Sequence, residues 1–505
     1  MSVSAANPVV PPPAVTPPPV AGQLDEFSDK LSPMLVKELR QGLRGKTFVI
    51  LFLALQGLLG IVLLSAIGAS SDGDSGPAVS KVIFFFFALA ALVAQPLRGI
   101  GALHHEIKGN TIDLMVLTRL GSWRIVLGKW VAIVSQTGLL LMAIVPYLIL
   151  RYFFGRMDLF AELLLLGLVF AGSAIFTAIT VGLSALPSIL VRGLMPLALA
   201  VFIGFSIPSI TFSHELNGLI RICTLQDKAE AWGLFSTLAV GIYIGWMALA
   251  MGASIIAPQA ENHSTSRRLV ALGMIALLGV IGWIAGTSRD VMAVMLIMVG
   301  VPAVALALTE PLELLPPICR PFLRFGNLGK VAGRILYPGW ASGVLFTGLL
   351  MTGTILVYLS RPNTDINPNL PIVKLLMTLG TLLLPALIIR VLASRARSPL
   401  GVYILIGVLL CAAAIALVLI MTETDNDGYV WFFSWIPPVQ MVVVDFLYRN
   451  HPSSTTIADL SGLVQVGVIT CSAYFVLLLF FALKNFSAIR EVEQEAEGHA
   501  PKPTS

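Results

Sequence analysis

The chain has 505 residues, of which 57% are hydrophobic and only 12% charged. Soluble proteins run at roughly 45–50% and about 25%, so a set of soluble domains is excluded and a lipid bilayer is the natural home for the apolar excess. A net charge of +5 is too small to imply a nucleic-acid partner.

Residues 1–29 open with seven prolines between Pro8 and Pro19 and no charge before Asp25. That composition reads as a polyproline-type tail without a core. No basic n-region with a short apolar run opens the chain, so no secretory signal peptide is expected.

From Ser32 the pattern becomes helical. Ser32 is a natural N-cap and Pro33 suits the first helical position. Leu35, Val36, Leu39 and Leu43 form one stripe, while Lys37, Arg40 and Arg44 gather opposite it, with Glu38 beside them. This is the signature of an amphipathic helix lying in the membrane interface. The plainer reading is positive-inside charge with chance periodicity.

Twelve apolar segments follow, at about 47–69, 82–101, 125–150, 159–186, 193–212, 232–257, 269–286, 290–308, 339–360, 371–393, 400–421 and 461–483. Each approaches the roughly 20 residues that a helical span requires. The fold class expected is an all-α polytopic bundle of twelve spans. The turns near Met157-Asp158 and Arg289-Asp290 are short, and the alternative reading of either pair is a hairpin stopping short of the far side.

Between the second and third segments lies a compact charged stretch from Leu103 to Lys129. Asn110 can cap a short helix, with Asp113 near its positive end and Arg119 and Gly121 closing it. The His104-His105 pair lacks a third ligand nearby and is a poor metal site. Glu106, Lys108, Thr111, Asp113, Arg119 and Arg124 are the residues a partner protein would read.

Further along, Glu162 is nearly the sole acidic residue inside a span, which argues against a chain of proton-relay carboxylates. Gly241 and Gly245 form a GxxxG pair that allows close helix approach. The long stretch 422–460 begins acidic and then runs through Tyr429, Trp431 and Trp435, which predicts an interfacial or re-entrant segment. Cys223, Cys319, Cys411 and Cys471 are isolated, so free thiols are expected rather than disulfides.

Twelve spans place both termini on one side. Nine basic residues (Lys81, Arg151, Arg156, Arg221, Lys228, Arg289, Arg361, Lys374 and Arg449) fall on the opposite side, against twenty-three of the 32 on the terminal side. Basic residues favour the cytoplasm, so both ends are expected there. On this division no basic residue is left buried within a span away from its ends.

The stretch Pro33 to Lys46, with its Lys37-Glu38-Leu39-Arg40 core, resembles the N-terminal connecting helix of type-2 ABC transporter permeases. Glu106, Gly109, Thr111, Asp113-Leu114 and Leu127-Gly128-Lys129 resemble that family's first cytoplasmic loop. Asn110 interrupts the usual Gly-Thr pair, and two histidines replace the usual charged stretch. The resemblance covers about residues 30–258, the six-span permease unit; residues 259–484 read as an additional six-span bundle and 485–505 as a cytoplasmic tail. It implies a membrane permease subunit of a bacterial cytoplasmic membrane, paired with a second permease, identical or not. A separate cytoplasmic ATPase would dock on a coupling helix in the first loop.

The chain has no Walker A sequence, because Gly128-Lys129 and Gly329-Lys330 lack the required upstream glycine. ATP is therefore expected only on a partner, with no cofactor or metal held by this chain and no enzyme activity of its own. A twelve-span secondary transporter, or a non-transporting membrane assembly factor, would share the same gross pattern.

Overall fold

In the computed structural model the described residues are 33–69, 75–109, 121–152, 158–258, 261–362, 370–393, 396, 398–424, 435–440 and 457–498. They contain helices and no strands. Twelve of the helices are long and apolar enough to cross a bilayer, so the chain is a multi-pass, all-α membrane protein.

An amphipathic helix α1 (Pro33–Leu43) precedes the first span, α2 (Lys46–Ala69). The second span starts as α3 (Ser75–Ala88), widens into a π turn over Leu89–Ala94 and ends in a 3-10 turn over Arg98–Gly101. Helix α4 (His104–Lys108) follows directly. Then come α5 (Ser122–Tyr152), α6 (Leu159–Leu183), α7 (Met195–Phe212), the short α8 (Glu215–Cys223) and α9 (Lys228–Ile256).

The second half holds α10 (Ser264–Ala285) and α11 (Arg289–Thr309), then two short helices, α12 (Pro316–Leu323) and α13 (Gly326–Leu336). Spans α14 (Trp340–Leu359), α15 (Leu370–Leu392), α16 (Pro399–Thr424) and α17 (Ile457–Lys484) complete it, and α18 (Phe486–Gly498) closes the described chain.

The pairs flanking the two short turns are full-length. Helices α5 and α6 have 31 and 25 residues, and α10 and α11 have 22 and 21. At 1.5 Å per residue, even the shortest covers about 30 Å of hydrocarbon.

Both π turns have a local cause. Pro96 follows the first by two residues and Pro196 follows a second, over Leu190–Leu194, by two. A proline inside a helix lacks an N–H and its ring collides with the carbonyl four residues back, so the helix widens there. The hydroxyl of Ser173 donates to the carbonyl of Ala91 at 2.5 Å inside the first of these turns, supplying a partner where the regular ladder is disturbed.

Packing within lipid relies on close backbone approach. A Cβ on Gly182 of α6 would overlap the carbonyl of Ala248 on α9, and one on Gly343 of α14 would overlap the carbonyl of Ala307 on α11. Only glycine allows these two crossings. Gly241 and Gly245 also face α6, near Ile175 and Ala178, so the GxxxG pair serves internal packing.

Two cores fill most of the first half. One gathers α2, α3, α5 and α6 around Leu59, Phe87, Leu140 and Leu166, and the other surrounds Leu103, Ile125 and Val181. The second half has a single larger core around Leu278, Leu296, Phe346 and Leu383. Helix α9 belongs to both halves. One face packs on α6, while Val240, Tyr243 and Met247 enter the second core.

The segment 435–440 touches the middle of a span. A Cβ on Gly380, halfway along α15, would meet Pro437 at 3.0 Å, and Val439 and Gln440 are buried. The hydroxyl of Tyr474 donates to the carbonyl of Trp435 at 2.6 Å. A short stretch at this depth fits the re-entrant reading, while the remainder of 422–460 up to Thr456 lies outside the described residues apart from Thr422–Thr424 at the end of α16.

Residues 485–498, expected as a tail, are instead largely helical. Phe486, Ile489, Glu493 and Ala496 of α18 are buried, and the helix packs on α12 and on the end of α17. The spacing of three and four residues puts them on one face.

Candidate functional site

The ends of the spans that carry most of the basic residues converge at one end of the bundle, termed the basic end. There Lys129 stands in the second turn of α5, with its side chain only 7% exposed. Its ammonium lies 3.1 Å from Oε1 of Glu38 on α1 and 2.8 Å from Oε1 of Glu106 on α4. An unpaired ammonium at this burial would be costly, and two carboxylates offset that cost. One lysine thereby ties the N-terminal helix, the segment leaving the second span and the third span into a single junction.

Lys129 is thus a buried basic residue close to the end of its span. Helix α5 begins at Ser122, three residues before the predicted boundary, and Lys129 lies inside it. Its signal in the sequence was the Gly128-Lys129 pair opening an apolar run; its partners, 91 and 23 positions away, left no local trace.

Neighbouring polar contacts reinforce the junction. Arg98 donates to Oε1 of Gln95 at 3.0 Å and to Gln136 of α5. The backbone N–H of Leu103 donates to the hydroxyl of Ser184 at 3.1 Å, and Arg192 contacts the ring of His104. The indole N–H of Trp130 donates to the carbonyl of Ala174 at 2.8 Å. The hydroxyl of Ser122 donates to Glu261 at 2.9 Å, linking the start of α5 to the segment before α10.

Of the residues expected to face a partner, Lys108 and Arg124 are exposed, as are Lys37, Arg40 and Arg44 on α1. Glu38 and Glu106 turn inward to Lys129. Thr111, Asp113 and Arg119 lie outside the described residues. The exposed basic side chains of α1 are arranged as the amphipathic pattern requires, with Leu35, Val36 and Leu39 partly buried.

A second charged cluster at the same end had no counterpart in the sequence reading. Arg267 and Arg268, at the start of α10, are 7% and 2% exposed. Their guanidiniums reach Oε1 and Oε2 of Glu310 at 2.5 and 2.6 Å. Arg268 also donates to the carbonyls of Ile335 at 2.8 Å and Gly339 at 3.0 Å, and the N–H of Gly339 donates to Glu310 at 3.2 Å. Burial alone would raise the Glu310 pKa, but Arg268 and Arg267 outweigh it and hold the carboxyl below its usual range.

Beside this cluster, a cavity of about 660 Å³ opens between the two halves, lined in part by Ser254, Glu261, His263, Arg267 and Glu313. Its volume is that of a small-molecule site. Among the described residues no three metal-ligating side chains gather, and all four cysteines are free thiols.

No family model matches the sequence, and no curated protein or solved structure is significantly similar to it.

Proposed function

We propose that the chain is the membrane-spanning subunit of an ABC transporter in a bacterial cytoplasmic membrane, driven by a separate cytoplasmic ATPase and working with a second permease subunit. The observation that carries this reading is the Lys129 junction. An interfacial helix, the segment after the second span and the third span are joined by one buried ammonium, at the end of the bundle where basic residues concentrate. A push on the loop beyond α4 would reach α1 and α5 together, because neither can shift without breaking an ion pair. Exposed Lys108 and Arg124 flank that loop and offer charge to a docked protein. The sequence lacks a phosphate loop, in keeping with ATP being bound by the partner.

The basic end is then cytoplasmic. Cysteine labelling tests the orientation, with Ser213→Cys reacting from outside and Ser266→Cys from inside. The function is tested by co-expressing the chain with an ATP-binding cassette ATPase and purifying the complex. ATP hydrolysis is expected only in the complex. Lys108→Glu and Arg124→Glu are expected to weaken association while the chain still inserts and folds. Stoichiometric nucleotide binding by the lone chain, or unchanged association of both variants, would refute the reading.

A further inference from the structure

Helix α13 (Gly326–Leu336) is sharply two-sided. Phe325 just before it, and Leu328 and Val331 within it, are 77%, 84% and 59% exposed. At 100° per residue these three and Ala332 and Ile335 fall within one stripe. Lys330 and Arg334 stand on the opposite side. Lys330 meets Oε1 of Glu497 at 2.6 Å, and Arg334 meets Oε2 of Glu493 at 2.8 Å, both glutamates lying on α18. The acidic helix α18 is therefore ion-paired to the polar side of α13, and the apolar side is left open.

Helix α13 is tied to the ends of spans. Gly329 packs on Phe322 of α12, Gly333 packs on Tyr337, and Trp340 begins the next span three residues later. Arg320 and Arg324, on and just after α12, are exposed beside the apolar stripe. An apolar face at the height of the span ends, rimmed by arginines and backed by an acidic helix, matches an amphipathic element in the headgroup layer. Facing water, the same stripe would be a large exposed hydrophobic patch.

We propose that α13 is an interfacial anchor, with Phe325, Leu328 and Val331 seated in the phospholipid leaflet at the basic end and α18 clipped over its aqueous side. The occupant of the apolar face is lipid. Arg320 and Arg324 reach the phosphates, and Glu493 and Glu497 hold Lys330 and Arg334 away from the bilayer. The arrangement needs neither an ATPase nor a transported substrate, so it stands or falls independently of the permease reading.

The test uses the full chain in vesicles of phosphatidylethanolamine and phosphatidylglycerol. Cys411 and Cys471 are replaced by alanine, while Cys223 and Cys319 are buried. Nitroxide labels are placed singly at Leu328→Cys, Val331→Cys and, as the aqueous reference on α18, Gln494→Cys. Accessibility to oxygen is compared with accessibility to a water-soluble nickel chelate. The ratio at 328 and 331 is expected to exceed that at 494 several-fold. Ratios at 328 and 331 equal to that at 494 would overturn the proposal and leave the stripe as a face for a soluble protein.

Discussion

The two buried charge clusters at the basic end are mirror images in stoichiometry. At Lys129 two carboxylates share one ammonium, and at Glu310 two guanidiniums share one carboxylate. The difference in chemistry matters more than the difference in sign. A guanidinium is a rigid fork, and Arg268 donates from both terminal nitrogens, to Glu310 and to two backbone carbonyls. A lysine ammonium is a compact charge on a flexible stem. Its partners Glu38 and Glu106 are 20% and 15% exposed, whereas Glu310 is 11% exposed and its arginines less. The Glu310 cluster is built as a weld between α10, the end of α11 and the segment leading into α14. The Lys129 junction holds three elements together through one small cation.

Breaking the weld is expected to have the largest effect. Glu310→Ala leaves two buried guanidiniums facing each other, and losing one partner of a buried pair costs about 3–5 kcal/mol. The thermal midpoint of the purified chain in lipid nanodiscs should fall sharply, and a midpoint within experimental error of the parent would contradict the weld.

Lys129→Ala should cost less, about 1–3 kcal/mol, because water can reach the two carboxylates it strands. Neutralising all three groups, Glu38→Gln with Lys129→Met and Glu106→Gln, is expected to recover most of that loss. If the triple variant is no more stable than Lys129→Ala, the junction does not work as a charge cluster.

Acid sharpens the contrast. The Glu310 carboxyl has a folded pKa below its unfolded value, so its contribution is complete above the ordinary carboxylate range. It is lost as pH falls through that range toward the depressed folded value. In parent protein the melting midpoint should drop on acidification, and in Glu310→Gln that part of the drop should vanish.

The smallest effect is expected at α18. Arg334 is 30% exposed and its pair with Glu493 is worth about 0.5–1 kcal/mol. Glu493→Gln should speed hydrogen exchange over 486–498 without moving the global midpoint; unchanged exchange would mean that Phe486, Ile489 and Ala496 hold the helix alone.

The sequence revealed those features that depend on neighbouring residues. All twelve spans were legible because hydropathy acts over about 20 adjacent positions, and α1 was legible because its leucines and basic residues alternate at helical spacing. Helix α18 carries Phe486, Ile489 and Ala496 at the same spacing, but its many charges masked the stripe. The partners of Lys129 and Glu310 were not legible, since Glu310 meets Arg267 and Arg268 across 43 and 42 positions. Such pairings depend on tertiary packing, which one sequence does not encode locally. Of the other site residues, Asp113 and Arg119 are read from the ends of a short helix and Thr111 from the family resemblance.

The double allegiance of α9 bears on how the protein is made. A ribosome delivers the spans in order, so α9 enters the membrane with its first face met at once by α6. Its second face, with the phenol of Tyr243 that donates to the carbonyl of Val299 at 3.2 Å, must wait for α11. A hydroxyl facing hydrocarbon without a partner is costly. During that interval the nascent chain is an unfinished surface, exposed to chaperones, to the insertion machinery and to any stray helix. The pace of synthesis between residues 256 and 309 then becomes a factor in yield, set by a helix completed well before it.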